Sequence, residues 1–511
     1  MHDVVVVGAG SAGSALAARL TEDPGTSVLL IEAGPPARRP EVHIPAAYPQ
    51  LFRSRLDWNY STQTEPHLDG RQIYWPRGRV VGGCSAMNAM IYMRGAPEDY
   101  DQWAALGNTG WAWKDVLPLF LASEDNERGP SAFHGAGGPL RVSDQVSRAE
   151  LSHAFVAAAQ EWGLPFNDDF NGRQQVGAGF FQVTQRDGRR ESAARAFLRP
   201  ARRRPNLTTV TGAAAERVLF SGRRAIGVRC RTGRGRRDFL GNEVVLCAGA
   251  IGSPHLLLLS GVGPAQDLER LDIPLLMNSP GVGGNLQDHA SLPVVRASGV
   301  RSLGTAPRLP NLLRYAATRR GPFASNIVEA GAFVRTENSL AAPDLQLHFA
   351  PVLVNGDAAD PTEDGFVVWS SLLTPESRGR IRLASSNPAT PPLIRAGYLS
   401  TRGDVERTVQ GLRWALDLCD MPALSSRTSR AVLPGTSDED LVAYARANLA
   451  TLYHPVGTCA MGDVVDSQLR VLGLEGLRVA DASVMPTIPR GNTNAPAIMI
   501  GEMAARLLRA G

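Results

Sequence analysis

Val4-Val-Val-Val7 is an unbroken apolar run that stops at Gly8. Leu16, Leu20 and the alanines between them then recur at helical spacing, and Val28-Leu-Leu-Ile31 is a second apolar run, closed by Glu32. Strands without polar alternation are buried on both faces, so these 32 residues predict a parallel strand–helix–strand unit. Residues 98–120 contain Trp103, Trp111 and Trp113 and predict helices with aromatic core anchors. From Asn206 to Leu246 the pattern is of short alternating strands with Arg and Gly turns, a hairpin-like insert. Asn242 to Ala250 is a buried strand expected to return to the first sheet, and Gly249-Ala-Ile-Gly-Ser-Pro254 opens a Leu-rich helix that stops at 260–263. Over 296–440, apolar strands (345–349, 366–369, 380–383) and helices (404–419, 438–449) come in blocks, which predicts an α+β region with an antiparallel sheet. A strand at 477–481 and a helix from near Pro496 to about Leu508, capped by Asn494, close the chain.

At 511 residues the chain exceeds one average domain. A net charge of +4 is too small to imply a nucleic-acid partner, and Lys114 is the only lysine among many arginines. Five scattered cysteines form no CxxC pair, and their odd number argues against a disulfide framework. A reducing, cytoplasmic setting is expected, since the first strand leaves no room for a signal peptide ahead of it. The most apolar region, 244–259, is broken by Gly249, Gly252 and Pro254, so no span of roughly 20 apolar residues crosses a membrane.

The candidate chemistry sits at the two ends of the chain. Gly8, Gly10 and Gly13 follow a strand and open a helix, which suits a pyrophosphate laid on a helix N-terminus. Glu32 stands 19 residues beyond Gly13, where an acid bonds a ribose hydroxyl and repels the 2′-phosphate of NADP. Gly78-Arg-Val-Val-Gly-Gly-Cys-Ser-Ala-Met-Asn88 is a second glycine-dense stretch. In Gly281-Val-Gly-Gly-Asn-Leu-Gln-Asp-His289, Asp288 and His289 have no third ligand at a useful spacing, so no metal is expected. His454-Pro-Val-Gly-Thr458 and Gly491-Asn-Thr-Asn494 place a histidine and two asparagines before the last helix. An imidazole with a pKa near 6.5 suits removal of a hydroxyl proton, and an uncharged asparagine donor holds the resulting alkoxide.

Together these motifs resemble the glucose–methanol–choline (GMC) family of FAD oxidoreductases over nearly the whole chain. The resemblance rests on Gly8 to Gly13 with Glu32, Gly78-Arg-x-Val-Gly-Gly83, Gly249-Ala-x-x-Ser-Pro-x-Leu-Leu-x-x-Ser-Gly-Val-Gly263, His454-Pro-x-Gly-Thr458 and Gly476-Leu-Arg-Val-Ala-Asp-Ala-Ser483. It implies an α/β plus α+β architecture: a Rossmann-like FAD domain from 1–155, 190–295 and 441–511, and a discontinuous substrate domain from 156–189 and 296–440. It implies His454 as base, Asn492 as its partner, and hydride transfer from a primary alcohol to flavin N5. The cofactor contacts implied in the first motif are Gly8, Gly10, Ser11, Ala12, Gly13, Glu32 and Ala33. In the second they are Arg79, Gly82, Gly83, Asn88 and Ala89; further on, Val218 at the adenine, Ala248, Gly249, Asp481, Ala482 and Asn494. Trp58, Glu329, Phe349 and Tyr453 are candidate substrate contacts, with Glu329 facing a cation in choline oxidases. Met87 stands where covalently flavinylated members carry histidine, so FAD is expected to be noncovalent. The expected partners are a small alcohol and an acceptor, oxygen or a quinone-type carrier. A lyase on the same fold is the alternative; a nicotinamide dehydrogenase would leave the late motifs unexplained.

Overall fold

The computed structural model describes residues 1–355, 358–434 and 440–510. Strand β1 (His2–Val7), helix α1 (Ser11–Leu20) and β2 (Val28–Glu32) form the opening unit. Helices α2 (Pro97–Ala105) and α3 (Trp113–Ser123) follow, then α4 (Glu150–Glu161) and β3 (Gly177–Phe180). Next come β4 (Leu207–Thr211), β5 (Ala214–Ser221), β6 (Arg224–Thr232), β7 (Gly235–Leu246) and α5 (Gly249–Leu259). The second half runs through β8 (Ala290–Ser298), α6 (Arg308–Thr318), β9 (Ala330–Val334), β10 (Leu345–Ala350) and β11 (Gly365–Leu372). Helix α7 (Arg402–Asp420), β12 (Thr428–Leu433), α8 (Leu441–Asn448) and β13 (Ala450–Thr451) lead to β14 (Leu477–Val479) and α9 (Asn494–Ala510).

One sheet has the order β4-β2-β1-β7-β6-β5, with β14 pairing β7. Its β4, β2, β1, β7 and β14 are parallel neighbours, and the valines of β1 are buried, as their unbroken apolar run predicts. The hairpin-like insert is real for β5, β6 and the first half of β7, which are antiparallel. It stops short of β4, which instead extends the parallel sheet beside β2. The second sheet is antiparallel, order β12-β8-β11-β10-β9-β3, with β13 pairing β8. One of its faces carries Leu347 and Phe349 against α4 and α7. The α/β plus α+β expectation therefore matches the architecture.

Details differ. The strand expected at 380–383 pairs only with Leu393–Arg395, outside the second sheet. Strand β8 starts at Ala290 and crosses the expected 295/296 boundary, because it pairs with β11 without a break from Ser291 to Ala297. Helix α9 begins at Asn494 rather than Pro496; the Thr493 carbonyl accepts from Ala497 N–H, so Thr493 and not Asn494 is the residue before the first turn. The helix expected at 438–449 starts partly outside the described residues and is seen as α8.

The contact that brings the chain ends together is α1 against α9. A Cβ on Gly501 would lie 2.3 Å from the Ala12 carbonyl oxygen, so glycine lets the helix backbones touch. Arg19 and Glu502 pair across them at 2.8 Å, and Ser123 donates to the same carboxylate at 2.7 Å. Gly501→Val should therefore force α1 and α9 apart, costing about 1–3 kcal/mol by overpacking. A urea midpoint within experimental error of the wild type would refute this reading of the contact.

Candidate active site

The cavity lies between the two sheets and has a volume of about 670 Å³. From the parallel sheet it is lined by the C-terminal end of β2 with Glu32 and Ala33, and by the β1–α1 turn with Gly8, Gly10, Ser11 and Ala12. From the antiparallel sheet His348 and Trp369 reach it, and His454, Asn492, Thr493 and Asn494 close it from the late loops.

A Cβ added to Gly10 or Gly249 would meet nothing within 4 Å, so two backbone turns at helix starts stand bare before the cavity. Helix α1 starts at Ser11 without a side-chain cap and presents free N–H groups and a positive dipole end there, whereas the first N–H of α5, at Gly249, is already taken by Asp481. The Glu32 carboxylate is fixed by Ala9 N–H at 2.9 Å and Gly34 N–H at 2.8 Å; burial pushes its pKa up to about 7. Asp481 accepts from Gly249 N–H (2.8 Å), Ser253 Oγ and Ser483 N–H (2.8 Å), which ties the α5 start to the β14 loop. Ser11 Oγ donates to Asn494 Oδ1 at 2.7 Å and joins the α1 and α9 starts. These are groups suited to FAD: the uncapped α1 start for a pyrophosphate and a carboxylate at the strand end for a ribose.

Arg79, Gly83, Asn88, Ala89, Ala248, Gly249, Asp481, Ala482 and Asn494 also line the cavity. Asn88 is oriented by the buried Arg190, whose Nη1 donates to Asn88 Oδ1 at 2.8 Å; burial lowers this guanidinium's pKa to about 9. Three expected cofactor contacts lie outside the cavity. Gly13 packs α1 on its own turn, since a Cβ there would lie 2.0 Å from Gly8 O. Gly82 sits behind the loop and donates to Ala9 O at 2.7 Å. Val218 is buried in β5, its N–H bonded to Ser260 Oγ at 2.8 Å; Ala213, Ala214 and Ala215, at the start of the strand, line the cavity in its place.

His454 is held from three sides. Its backbone N–H donates to Asp288 Oδ1 at 2.7 Å, while Asp288 Oδ2 accepts from Tyr398 OH and Thr451 Oγ1. Asp288 thus organises the 451–454 turn, in which Tyr453 takes a left-handed φ of 65°. The ring is set by His289. His289 Nε2 lies 3.1 Å from Leu373 O, and a carbonyl only accepts, so that nitrogen carries the proton. Burial lowers the His289 pKa to about 3, so the ring is neutral and its Nδ1 is a bare acceptor. His454 Nδ1 lies 3.0 Å from it and must donate. The lone pair of His454 is therefore on Nε2, 3.3 Å from Asn492 Nδ2. Burial, then His289, His348 and Arg77, hold the His454 pKa well below 6.5. Asn492 itself is placed by Arg490, whose N–H bonds Asp99 Oδ2 at 2.7 Å and whose guanidinium pairs with the same buried acid.

Of the four candidate substrate contacts, Trp58 and Tyr453 line the cavity and are each about one-third exposed, at 37% and 36%. Phe349 does not: it is fully buried on the opposite face of β10, stacked 4.8 Å from Phe155. Strand alternation places its neighbour His348 in the cavity instead. The His348 ring is buried beside Asn492; burial lowers its pKa to about 4, and the Asn492 side chain opposes the shift. Glu329 is also outside the cavity. Its carboxylate accepts from Ala149 N–H (2.7 Å), Ser152 Oγ (2.6 Å) and Ser325 Oγ (2.6 Å), and so caps α4, whose own N-cap is Ala149. His289, Asp288 and His348 were not among the sequence candidates. Alternation in Leu345-Gln-Leu-His-Phe349 was a usable signal for His348, whereas no local signal pairs His289 with His454, 165 residues apart.

A phosphate-cradling α/β sheet joined to an antiparallel sheet, with a neutral histidine and an asparagine in the shared cavity, defines a flavin-type oxidoreductase. The chain belongs to the GMC oxidoreductase family, whose N- and C-terminal profiles match residues 2–291 and 375–501. It is 42% identical to an alcohol dehydrogenase [acceptor] of Pseudomonas putida over 99% of this chain and 96% of the relative. It is likewise 42% identical to human mitochondrial choline dehydrogenase, over 99% and 90%. Pyridoxine 4-oxidase from Mesorbium loti is similar in structure, with a TM-score of 0.92 at 33% identity and full coverage of both chains. The chain is accordingly an FAD-dependent oxidoreductase of CH–OH groups.

Two outcomes follow from this geometry. Met87, buried on the cavity wall, offers no nucleophilic nitrogen to the flavin, so acid precipitation should leave yellow FAD in the supernatant; flavin in the pellet would contradict this. Glu329→Gln should lower stability by about 1–3 kcal/mol through a weakened buried bond set. It should not change the ratio of kcat/KM for a cationic and a neutral alcohol of equal size, and a selective loss on the cation would restore Glu329 to the site.

Proposed function

We propose that the chain oxidises a primary alcohol to the aldehyde, with His454 as the base and Asn492 as the donor that holds the substrate oxygen. The observation that carries this reading is the unprotonated Nε2 of His454, fixed by the Leu373–His289–His454 chain and placed 3.3 Å from Asn492 Nδ2 in the cavity. FAD, when bound, would supply the hydride acceptor for the carbinol carbon. His454 Nε2 takes the hydroxyl proton, and Asn492 Nδ2 holds the alkoxide oxygen without protonating it. His348 completes the neutral wall beside Asn492. The cofactor is held by Gly8, Gly10, Ser11, Ala12, Glu32, Ala33, Arg79, Gly83, Asn88, Ala89, Ala248, Gly249, Asp481, Ala482 and Asn494, with no covalent link.

The relatives named alcohol dehydrogenase and choline dehydrogenase support oxidation over the lyase alternative. Neutral histidines and the absence of Glu329 from the cavity favour an uncharged alcohol over choline. The electrons pass on to oxygen or to a quinone-type carrier. All five cysteines are free thiols, which suits a reducing, cytoplasmic setting; no described helix is long and apolar enough to cross a membrane. The two-part organisation, FAD segments around a discontinuous substrate portion, draws support from the two sheets, with the second part reaching back to Ala290.

His454→Ala should still purify yellow, and its anaerobic flavin reduction should slow by about 10²–10⁴-fold, or roughly 3–5 kcal/mol of barrier. Asn492→Ala should cost about 2–4 kcal/mol. A depressed folded pKa leaves the base neutral down to low pH. The wild-type reduction rate should therefore stay flat from about pH 6.5 upward and fall only at more acidic pH. A variant rate within about threefold of wild type, or an acid limb centred above pH 7, would overturn the assignment.

A further inference from the structure

Helix α6 turns its apolar face to solvent. Leu309, Leu312 and Leu313 are 67%, 41% and 63% exposed, whereas Tyr315 is the helix's one buried residue, its hydroxyl bonded to Gly188 O at 3.0 Å. With Ala316 these leucines follow i, i+3, i+4, i+7 spacing and share one face, turned about 110° away from the anchoring Tyr315. A helix on a globular surface ordinarily points such a stripe at the core; an exposed one marks an interaction site.

Charge selects the partner. Residues 290–328 contain six arginines and no Asp or Glu, in a chain of net charge only +4. Arg308, Arg314, Arg319 and Arg320 lie on or directly after α6, all exposed, and no ion pair among the described residues engages them. On the helical wheel Arg308 borders the leucine stripe, about 40° beyond Leu312, while Arg314 stands about 100° beyond Leu313 and Arg319 and Arg320 follow the helix end. A two-fold pairing with a second copy would set these arginines against one another, which disfavours self-association. Exposed leucines on a segment whose charges are all arginine match the boundary between acyl chains and anionic headgroups.

The position is also suggestive of use. Helix α6 packs on the turn Pro322–Ala324, which packs on the turn Pro45–Leu51. Tyr48 and Pro49 of that second turn, with the adjacent Phe52, line the cavity. We propose that α6 is a docking face for an anionic lipid surface, leucines in the acyl boundary and arginines on the phosphates, with the cavity rim held beside the membrane. This is peripheral attachment and is independent of the base assignment at His454.

The test is co-sedimentation of the FAD-loaded enzyme with vesicles of phosphatidylcholine alone or mixed with phosphatidylglycerol, at low and high salt. The wild type should partition at least about tenfold more onto the phosphatidylglycerol vesicles, and less as salt rises. L309S/L312S/L313S should lose that binding by a similar factor, and R308Q/R314Q/R320Q should lose the preference for phosphatidylglycerol. Both variants should keep wild-type turnover with a soluble dye acceptor, which shows that they are folded and separates this test from the catalytic one. Wild type that stays in the supernatant, or a leucine variant that binds vesicles equally well, overturns the proposal. So does sedimentation velocity showing a wild-type dimer that the leucine variant converts to monomer without any vesicle binding.

Discussion

The contact between α1 and α9 is the constraint on which the cavity depends. The Ala12 carbonyl touches the backbone at Gly501, and the two helices that meet there are separated by almost the whole chain. Their N-termini converge because their bodies pack side by side: Ser11 and Asn494 are bonded across the junction. Two positive dipole ends therefore face one space, which favours an anionic ligand and the negative charge of a reduced one. The same packing carries the Asn492 loop to His454. Any change that separates the helices loosens cofactor grip and catalytic geometry together.

The electrostatics of the histidine come from where the nearby acid is used. Asp288 is buried beside His454, yet its oxygens are taken by a backbone N–H, a tyrosine and a threonine. Had that carboxylate faced the ring, it would have held the imidazole protonated. The ring faces another neutral histidine, which is itself fixed by a main-chain carbonyl. A base kept neutral by burial, with its tautomer dictated by a carbonyl two bonds away in the hydrogen-bond chain, has its lone pair on the one nitrogen that faces the cavity. The acid supplies geometry and the carbonyl supplies proton placement, so the two roles do not interfere.

Much of the fold was legible along the chain. The valine run of β1, the glycines after it and Glu32 identify the nucleotide unit because a doubly buried strand and a helix start leave local marks. The block of strands and helices after 296 marked the second region for the same reason. Individual site residues were legible where a local motif carried them, as at Gly10, Gly249 and the His454 and Asn492 loops. Phe349 was misplaced by one residue, and in a strand one residue is the whole difference between core and cavity. Val218 was misplaced along its strand, and Glu329 was drawn to the cavity by resemblance when its oxygens serve a helix end.

The sequence by itself determined which stretches are strands and helices, where the backbone needs glycine, and which residue types are available for proton transfer. These follow from periodicity, steric limits and side-chain chemistry, which act over a few neighbouring residues. Only the tertiary structure decided that His289 sets the tautomer of His454, that Asp288 holds a turn rather than a ring or a metal, and that the leucines of α6 point outward. Those facts depend on contacts between segments more than a hundred residues apart, or on what fails to pack over a helix, and no local pattern encodes either.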